Sequence, residues 1–325
     1  MPQARRVSMA MVAERAGVSG QTVSRVANDS PRVDPETRRR VEQVMAELGY
    51  RPNRAARALR TGRTRTIGLV AQTLATVGNS RMLQSVAEAA ASRGYALTVV
   101  TLGEDGDIAG AFDRLHDQGV DGAIVLNEAS ALAREDASST GLHLVVVDSP
   151  PDERFTVIAT DHAEGARRAV RHLLARGHRT VHHVAGPAAS YAADERERGW
   201  RQALDEAGIA APEPLRGDWS AAAGEVCGER LPPEATAVFV ANDQMALGVL
   251  RSLASAGRRV PEDVAVVGFD DVADAAQYRP ALTTLRQDFD ALGERALRLL
   301  IALIEDRDEH ADERLAPALV LRESA

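Results

Sequence analysis

Short apolar runs alternate with longer segments of helical periodicity along most of the chain. The runs are apolar almost throughout, which is typical of parallel strands covered by helices on both faces. They span residues 67–73, 96–102, 122–127, 143–149, 156–161, 181–186, 237–242 and 264–269. The sequence therefore predicts an α/β body of doubly wound parallel sheets, and such sheets bind ligands beyond the carboxyl ends of their strands.

The first 50 residues instead show three short helical patterns, each with an apolar face. Ser8 and Ser19 are placed to cap the first two helices, and Asp34, followed by a proline, is placed to open the third. Gly17 makes a tight turn between the first two helices, and Gly49 ends the third. This order predicts an all-α helix-turn-helix unit, whose second helix enters the major groove of DNA.

Charge is distributed unevenly between these regions. Residues 1–65 hold 14 arginines against 6 acidic residues, whereas residues 66–325 hold 25 basic against 41 acidic residues. The whole chain carries a formal net charge of -8. A basic segment of this size indicates nucleic-acid binding; the alternatives are a solvated charged face and a three-helix unit without DNA function.

The second helix carries side chains that suit the reading of bases. Glutamine can hydrogen-bond to the edge of adenine, and arginine to O6 and N7 of guanine. Gln21 and Arg25 lie one helical turn apart and so face the same side. We therefore predict that both read bases. Hydroxyl and amide side chains suit phosphates, and the predicted phosphate contacts are Ser19, Thr22, Ser24, Asn28 and Asn53.

A very short helix is predicted from Arg54 to Arg60, between Asn53 and Gly62. It falls below the roughly 12 to 15 residues that make a helix stable by itself in water, so we expect it to form only when something holds it. Leu59 is its only large apolar side chain. Either Leu59 packs on the body, or it is a wedge inserted between base steps in the minor groove, which is our prediction.

Polar and aromatic residues follow several of the predicted strands. Carboxylates and amides can bind hydroxyl groups, and aromatic faces can cover the C–H groups of a sugar ring. The chain has only 3% aromatic residues, yet Trp219 and Phe289 fall among these positions. The pattern predicts a sugar site; the alternatives for single residues are helix capping and core packing. The strand-end residues are Asp148, Asn242, Asp243, Gln244, Asp270, Asp271, Gln287 and Asp288.

The segments VAERAGVSGQTVSRVAND, ETRRRVEQVMAELGYRPNRAARAL and TIGLV resemble the head and hinge of the lactose-repressor (LacI/GalR) family of bacterial transcription regulators. VANDQMALGVL, VVGFDD, LTTLRQDF and GDWSA resemble its effector domain, so the resemblance covers almost the whole chain. It implies a periplasmic-binding-protein-like body. The implied domains are a helix-turn-helix domain at 1–52, a hinge helix and linker at 53–65, and an effector-binding and dimerisation domain at 66–325. The last of these would consist of two subdomains. The N-subdomain would span about 66–162 and 288–316, and the C-subdomain about 163–287 and 317–325.

The resemblance also implies a function. A homodimer would repress transcription from pseudo-palindromic operator DNA and would be released by a small sugar, a galactoside or related glycoside, without a metal or other cofactor. The implied effector contacts are Leu74, Ala75, Asp148, Ser190, Arg196, Trp219, Asn242, Gln244, Asp270, Gln287 and Phe289. Alternatives are a regulator of the same fold that uses a corepressor and a sugar-binding protein without DNA function.

Some features depart from the family or exclude other classes. Gly20 stands where a tyrosine reads a base, and TVGN after Ala75 lacks the family's proline. The chain ends at Ala325 without a leucine-rich tetramerisation segment, so we expect a dimer. There is no Gly-rich phosphate loop, G-x-S-x-G elbow or second cysteine to indicate an enzyme. Without a signal peptide or a long apolar run, we expect a cytoplasmic protein with no membrane contact.

Overall fold

The chain divides into two compact units, Met1–Thr64 and Arg65–Ala325, which we call the head and the body and describe separately. The structure, a computed structural model, describes residues 7–27, 30–50, 62–103, 106–127, 129, 132–133, 141–307 and 313–325.

The described residues of the head form helices α1 (Met9–Ala16), α2 (Gly20–Ala27) and α3 (Pro35–Leu48). The Ser8 hydroxyl accepts a hydrogen bond from the third residue of its helix, and the Asp34 carboxylate accepts two from the first turn of α3. Left-handed glycines follow α1 and α3. The predicted helix-turn-helix is confirmed, and its small core consists of Val12, Ala13, Ala16, Val23, Val26, Val41 and Val44.

The body contains two sheets of six strands each within its described residues. The first sheet has the order β11-β5-β4-β3-β1-β2, and all of its pairs are parallel. Its strands are β1 (Thr66–Ala71), β2 (Ala96–Thr101), β3 (Gly122–Leu126), β4 (His143–Val147), β5 (Thr156–Thr160) and β11 (Glu313–Leu315). It packs against α4 (Val77–Ser92) and α10 (Phe289–Ile304) on one face and α5 (Ile108–Asp117) on the other.

The second sheet has the order β12-β10-β9-β8-β6-β7, and only its edge strand β12 is antiparallel. Its strands are β6 (His182–Ala185), β7 (Leu215–Arg216), β8 (Ala237–Val240), β9 (Ala265–Asp270), β10 (Thr283–Arg286) and β12 (Ala318–Val320). The sheet is covered by α6 (His162–Ala175) and α7 (Tyr191–Glu206) on one face and by α8 (Ala221–Glu229) and α9 (Asp243–Ser255) on the other. A 3₁₀ turn occupies Ala275–Gln277.

Each sheet with its helices is called a lobe. Within the described residues, the chain crosses from the first lobe to the second after β5, returns to the first lobe after β10, and crosses to the second again after β11. Each of the eight predicted apolar runs overlaps a strand, which confirms the α/β body. The eight runs do not include β7, β10, β11 or β12; β7, β11 and β12 have only two or three residues, which are too few to show a periodicity. The domain boundaries given above stay predictions.

Candidate functional site between the two lobes

A small cavity of about 50 Å³ lies between the lobes. Its walls come from the carboxyl ends of strands in both sheets and from the first two turns of the helices that follow them, as expected for parallel sheets. The first lobe contributes Thr76, Gly78, Met82, Asn127, Asp148 and Phe289 to the lining. The remaining lining residues are Ala192, Arg196, Trp219, Asn242, Gln244, Asp270 and Gln287.

Asp148 follows β4 with a left-handed backbone (φ 53) and is only 6% exposed. Its carboxylate accepts a hydrogen bond from the backbone amide of Thr160 (3.0 Å) and lies 3.0 Å from Nε2 of His162, the first residue of α6. Burial by itself would raise the pKa of Asp148, but His162, the Thr160 amide and Arg196 hold that pKa below its ordinary value. Asp148 is therefore a buried carboxylate that stays charged at neutral pH.

Arg196 of α7 is also buried and binds three partners. Its Nε donates to Nδ1 of His162 (3.3 Å), its Nη1 donates to the carbonyl of Ala241, and its Nη2 lies 3.6 Å from Oδ1 of Asp270. Because Nδ1 of His162 accepts a hydrogen bond from Arg196, a ring proton lies on Nε2, which faces Asp148. The arginine thereby sets the tautomer of a histidine that contacts the opposite lobe.

Gln287 lies on the connection that leads from β10 back to the first lobe. Its Nε2 donates to Oδ1 of Asp270 (2.6 Å), and its Oε1 accepts from the hydroxyl of Thr160 (2.7 Å). Thr160 ends β5 in the first lobe, whereas Asp270 ends β9 in the second. Burial raises the pKa of Asp270 against the opposing influence of Arg196 and Gln287. The glutamine therefore bridges the two lobes directly.

These contacts close a ring across the cleft. Every member is at most 8% exposed, so the ring is a buried polar network. Such a network holds a defined geometry, and a ligand with several hydroxyl groups can exchange hydrogen bonds with it. The members, in order, are Thr160, Asp148, His162, Arg196, Asp270 and Gln287.

Trp219 provides an aromatic wall. Its ring covers Gly186 so closely that a Cβ atom there would lie 2.3 Å from Cη2 of the indole, so only glycine fits. The guanidinium of Arg196 lies 5.5 Å from the centre of the ring. Asn242 holds the backbone, because its Nδ2 donates to the Trp219 carbonyl (3.0 Å) while its Oδ1 accepts from Met245 and caps α9. These contacts hold the Trp219 ring at the wall of the cavity.

Asp243 is a fully buried carboxyl group beside the cavity. Its Oδ1 accepts from the hydroxyl of Thr284 (2.5 Å), and its Oδ2 accepts from the amide of Val272 (2.9 Å). Burial, followed by the neighbouring charge of Asp270, raises the pKa of Asp243 to about 8. Asp243 is therefore largely protonated at neutral pH, in contrast to Asp148.

The described surface of the head can be considered by itself. On α2, Val23 and Val26 are buried, whereas Gln21 and Arg25 are exposed on the opposite side. The Ser19 hydroxyl accepts from the amide of Thr22 (3.1 Å), which confirms the predicted cap. Polar atoms of Ser19, Thr22 and Ser24 thus flank an exposed glutamine and arginine on one short helix.

Comparison with known proteins identifies the family. The model for bacterial regulatory proteins of the lacI family matches residues 8–53, and a periplasmic binding protein-like domain matches residues 170–325. The lactose operon repressor of Escherichia coli (strain K12) is 36% identical over 98% of this chain and 90% of its own length. The chain belongs to the lacI family of bacterial regulatory proteins.

Other lacI-family proteins agree in sequence and fold. The HTH-type transcriptional regulator CelR of Thermobifida fusca is 36% identical over the full length of both chains. The structure of the lac repressor dimer bound to operator and the anti-inducer ONPF is 35% identical, with a TM-score of 0.85 over 98% of this chain and 99% of the other. The CelR–cellobiose complex gives a TM-score of 0.74 at 34% identity, over 98% and 100% of the two chains. This chain is accordingly a DNA-binding transcriptional regulator and not an enzyme.

Most of the effector positions predicted for this lacI-family regulator line one cavity. They are Asp148, Arg196, Trp219, Asn242, Gln244, Asp270, Gln287 and Phe289. Three predicted residues do not line it. Leu74 packs against the core of the first lobe, Ala75 is exposed, and Ser190 is buried at the residue before α7. In the first loop the lining instead begins at Thr76, one residue later, and continues along α4.

Several site residues were missed by reasoning from sequence. Asn127 ends a predicted apolar run, so the same strand-end signal was present for it and was overlooked. Thr76, Gly78 and Met82 depend on where α4 begins, which the loop sequence does not fix. His162 carried no signal, because its role depends on a connection between the lobes.

Asn28, Asn53 and Leu59, which are predicted to contact DNA, lie outside the described residues, as does the predicted helix at 54–60. Their roles stay predictions. None of the helices in the described part of the chain combines the length and the apolar character needed to cross a bilayer.

Proposed function

We propose that this lacI-family regulator represses transcription as a homodimer on operator DNA and is released by a small sugar bound between its lobes. The observation that carries the proposal is the ring of six buried polar side chains beside the indole of Trp219. Ring members from both lobes contact one cavity, so a ligand there senses how the lobes are arranged.

The chemistry of the cavity supports a glycoside. The charged carboxylate of Asp148 accepts hydrogen bonds from hydroxyl groups, Arg196 donates, and the amides of Asn242 and Gln287 can do both. Trp219 offers a flat apolar face for the C–H side of a sugar ring. Among relatives, the CelR structure contains cellobiose and the lac repressor structure contains ONPF. We infer that the effector is a galactoside or a closely related glycoside.

The described head supports DNA recognition by α2. Gln21 and Arg25 are exposed one turn apart, so both can reach base edges, while Ser19, Thr22 and Ser24 can bind phosphates. A homodimer with twofold symmetry presents two such helices to the two halves of a pseudo-palindromic operator. We infer that the regulator acts on its operator DNA in the cytoplasm.

Repression and release follow from coupling between the two sites. A sugar that binds one arrangement of the lobes more tightly shifts the protein towards that arrangement, by no more than the difference in its affinities. If the operator favours the other arrangement, the sugar weakens DNA binding, and operator weakens sugar binding by the same factor.

An electrophoretic mobility shift on the DNA upstream of the protein's own gene tests the proposal. The full chain should bind a discrete site, and methyl β-D-galactoside, lactose or cellobiose should release it. Sugar that strengthens the shift would make the protein a corepressor-type regulator, and the absence of any effect from all glycosides would contradict the sugar assignment.

A further inference from the structure

A line of hydrogen bonds runs from the first loop of the body to the wall of the cavity. It begins at the backbone carbonyl of Thr73, which accepts from Nδ2 of Asn79 (2.9 Å). Oδ1 of Asn79 in turn accepts from Nδ2 of Asn127. Asn79 is fully buried in the first turn of α4 and does not line the cavity, whereas Asn127 does.

The carbonyl of Thr73 determines which atom donates and which accepts in each of these hydrogen bonds. A backbone carbonyl can only accept, so the amide of Asn79 must turn its nitrogen towards Thr73. Its oxygen then faces Asn127, and two oxygens cannot hydrogen-bond to each other. The amide of Asn127 must therefore turn its nitrogen towards Asn79, which leaves its Oδ1 as the acceptor not used by this line.

The backbone of Asn127 is held independently of this line. Its amide donates to the carbonyl of Val147 (3.0 Å), and its φ of 46 lies in the left-handed region, which asparagine tolerates better than most residues. Because the backbone is anchored in this way, the side chain of Asn79 decides mainly which amide atom of Asn127 is available to a ligand.

We propose that Asn79 is a positioning residue for sugar recognition: it orients Asn127 so that Oδ1 of Asn127 accepts a hydrogen bond from one sugar hydroxyl. This inference rests on the proposed function. It specifies that the first lobe presents a hydrogen-bond acceptor to the sugar at this position. A hydroxyl group can donate to that oxygen, whereas a deoxy position or a methyl ether cannot. Asn79 and Asn127 therefore favour sugars with a free hydroxyl at one ring position over sugars in which that hydroxyl is absent or methylated.

Asn79 also contacts a second wall of the cavity. Its backbone amide donates to the hydroxyl of Thr76 (3.4 Å), another lining residue, and thereby caps α4. This capping bond uses the backbone and survives substitution of the side chain. A variant at position 79 consequently tests the orientation of Asn127 without removing the cap.

The test compares sugars that differ by a single hydroxyl. Calorimetric titration of the full chain with methyl β-D-galactoside, lactose and cellobiose identifies the probe that binds, and its monodeoxy derivatives identify the hydroxyl that contacts Asn127. In the parent protein one deoxy derivative should bind about tenfold more weakly, and Asn127→Ala should abolish that difference. Asn79→Ala should reduce it strongly, and should have no further effect when combined with Asn127→Ala.

Two further variants separate orientation from loop stability. Ser80→Ala removes another hydrogen bond of the same loop, the bond to the carbonyl of Leu74, and should leave the discrimination unchanged. Asn79→Asp, if burial keeps the new carboxyl protonated, can donate to Thr73 and accept from Asn127, so it should restore the discrimination.

The outcomes are separable. If the parent protein binds none of the three glycosides, the proposed function fails. If it binds one, but Asn79→Ala keeps the full tenfold difference or its effect adds to that of Asn127→Ala, this inference alone fails. If Asn79→Ala does not fold, Asn127→Ala still decides, because an unchanged pattern across the deoxy derivatives contradicts the proposal.

Discussion

Nε2 of His162 lies 3.0 Å from Oδ1 of Asp148, although Asp148 follows β4 of the first lobe and His162 begins α6 of the second lobe. Arg196 fixes the tautomer of His162 from behind, through Nδ1. The pair is thus a contact between the first lobe and the second whose geometry is set within the second. A change in lobe arrangement must alter this contact.

Replacing His162 with alanine should destabilise the body by about 3 kcal/mol, because it leaves the buried carboxylate of Asp148 without one of its partners. The lowered pKa of Asp148 means that its contribution to stability is present above about pH 4 and is lost as pH falls through its folded value. In His162→Ala, the contribution of Asp148 to the free energy of unfolding should begin to fall at a higher pH than in the parent protein. Urea unfolding from pH 3 to 7 measures both effects, and His143→Ala, an exposed histidine, is the control. Equal stability of both variants would contradict the role of the contact.

Asp243→Asn should change how stability depends on pH between about pH 4 and pH 8. The folded state holds the proton of Asp243 up to about pH 8, whereas the unfolded carboxyl loses it near pH 4. The contribution of Asp243 to stability is therefore full at low pH and falls as pH rises through its folded pKa, with a slope of up to about 1.4 kcal/mol per pH unit. Asparagine can still accept from Val272 and can donate to Thr284, so the variant should lack this slope. Parallel stability curves for the two proteins between pH 5 and 8 would show that Asp243 is not protonated.

Gly186→Ala should displace the indole of Trp219, because the new Cβ would lie 2.3 Å from the ring. We expect at least tenfold weaker sugar binding and altered tryptophan emission, measured in a Trp200→Phe background that removes the other tryptophan. Unchanged emission and affinity in Gly186→Ala would place the Trp219 ring elsewhere.

Arg25→Ala should relax operator discrimination by about 1 to 3 kcal/mol at one base pair, because arginine reads guanine through two hydrogen bonds. The comparison variant is Arg39→Ala on α3, whose Nε donates to the carbonyl of Pro35. Binding to the operator and to operators with single substitutions is measured at fixed salt. A uniform loss on specific and random DNA would make Arg25 a phosphate contact.

The sequence predicted the cavity where strand ends determine it. Asp148, Asp270 and Gln287 follow strands whose carboxyl ends meet, so the general rule for parallel sheets is enough to bring them together. Leu74 and Ala75, which are also predicted, do not line this cavity, because the register between a loop and the start of α4 depends on packing. The sequence could not show that His162 contacts Asp148, because that contact depends on how two lobes with separate cores are joined.

Operator binding in the presence of sugar is the most direct measurement of how the cavity acts. Fluorescence anisotropy of a labelled upstream DNA fragment is followed while methyl β-D-galactoside, lactose and cellobiose are titrated into the complex, with Asp148→Asn as the variant that loses the charged carboxylate in the ring. We predict that one of these glycosides releases the parent protein and that the variant needs a much higher concentration of it. Release at equal concentrations from both proteins, or no release by any of the three, would contradict a sugar site between the lobes.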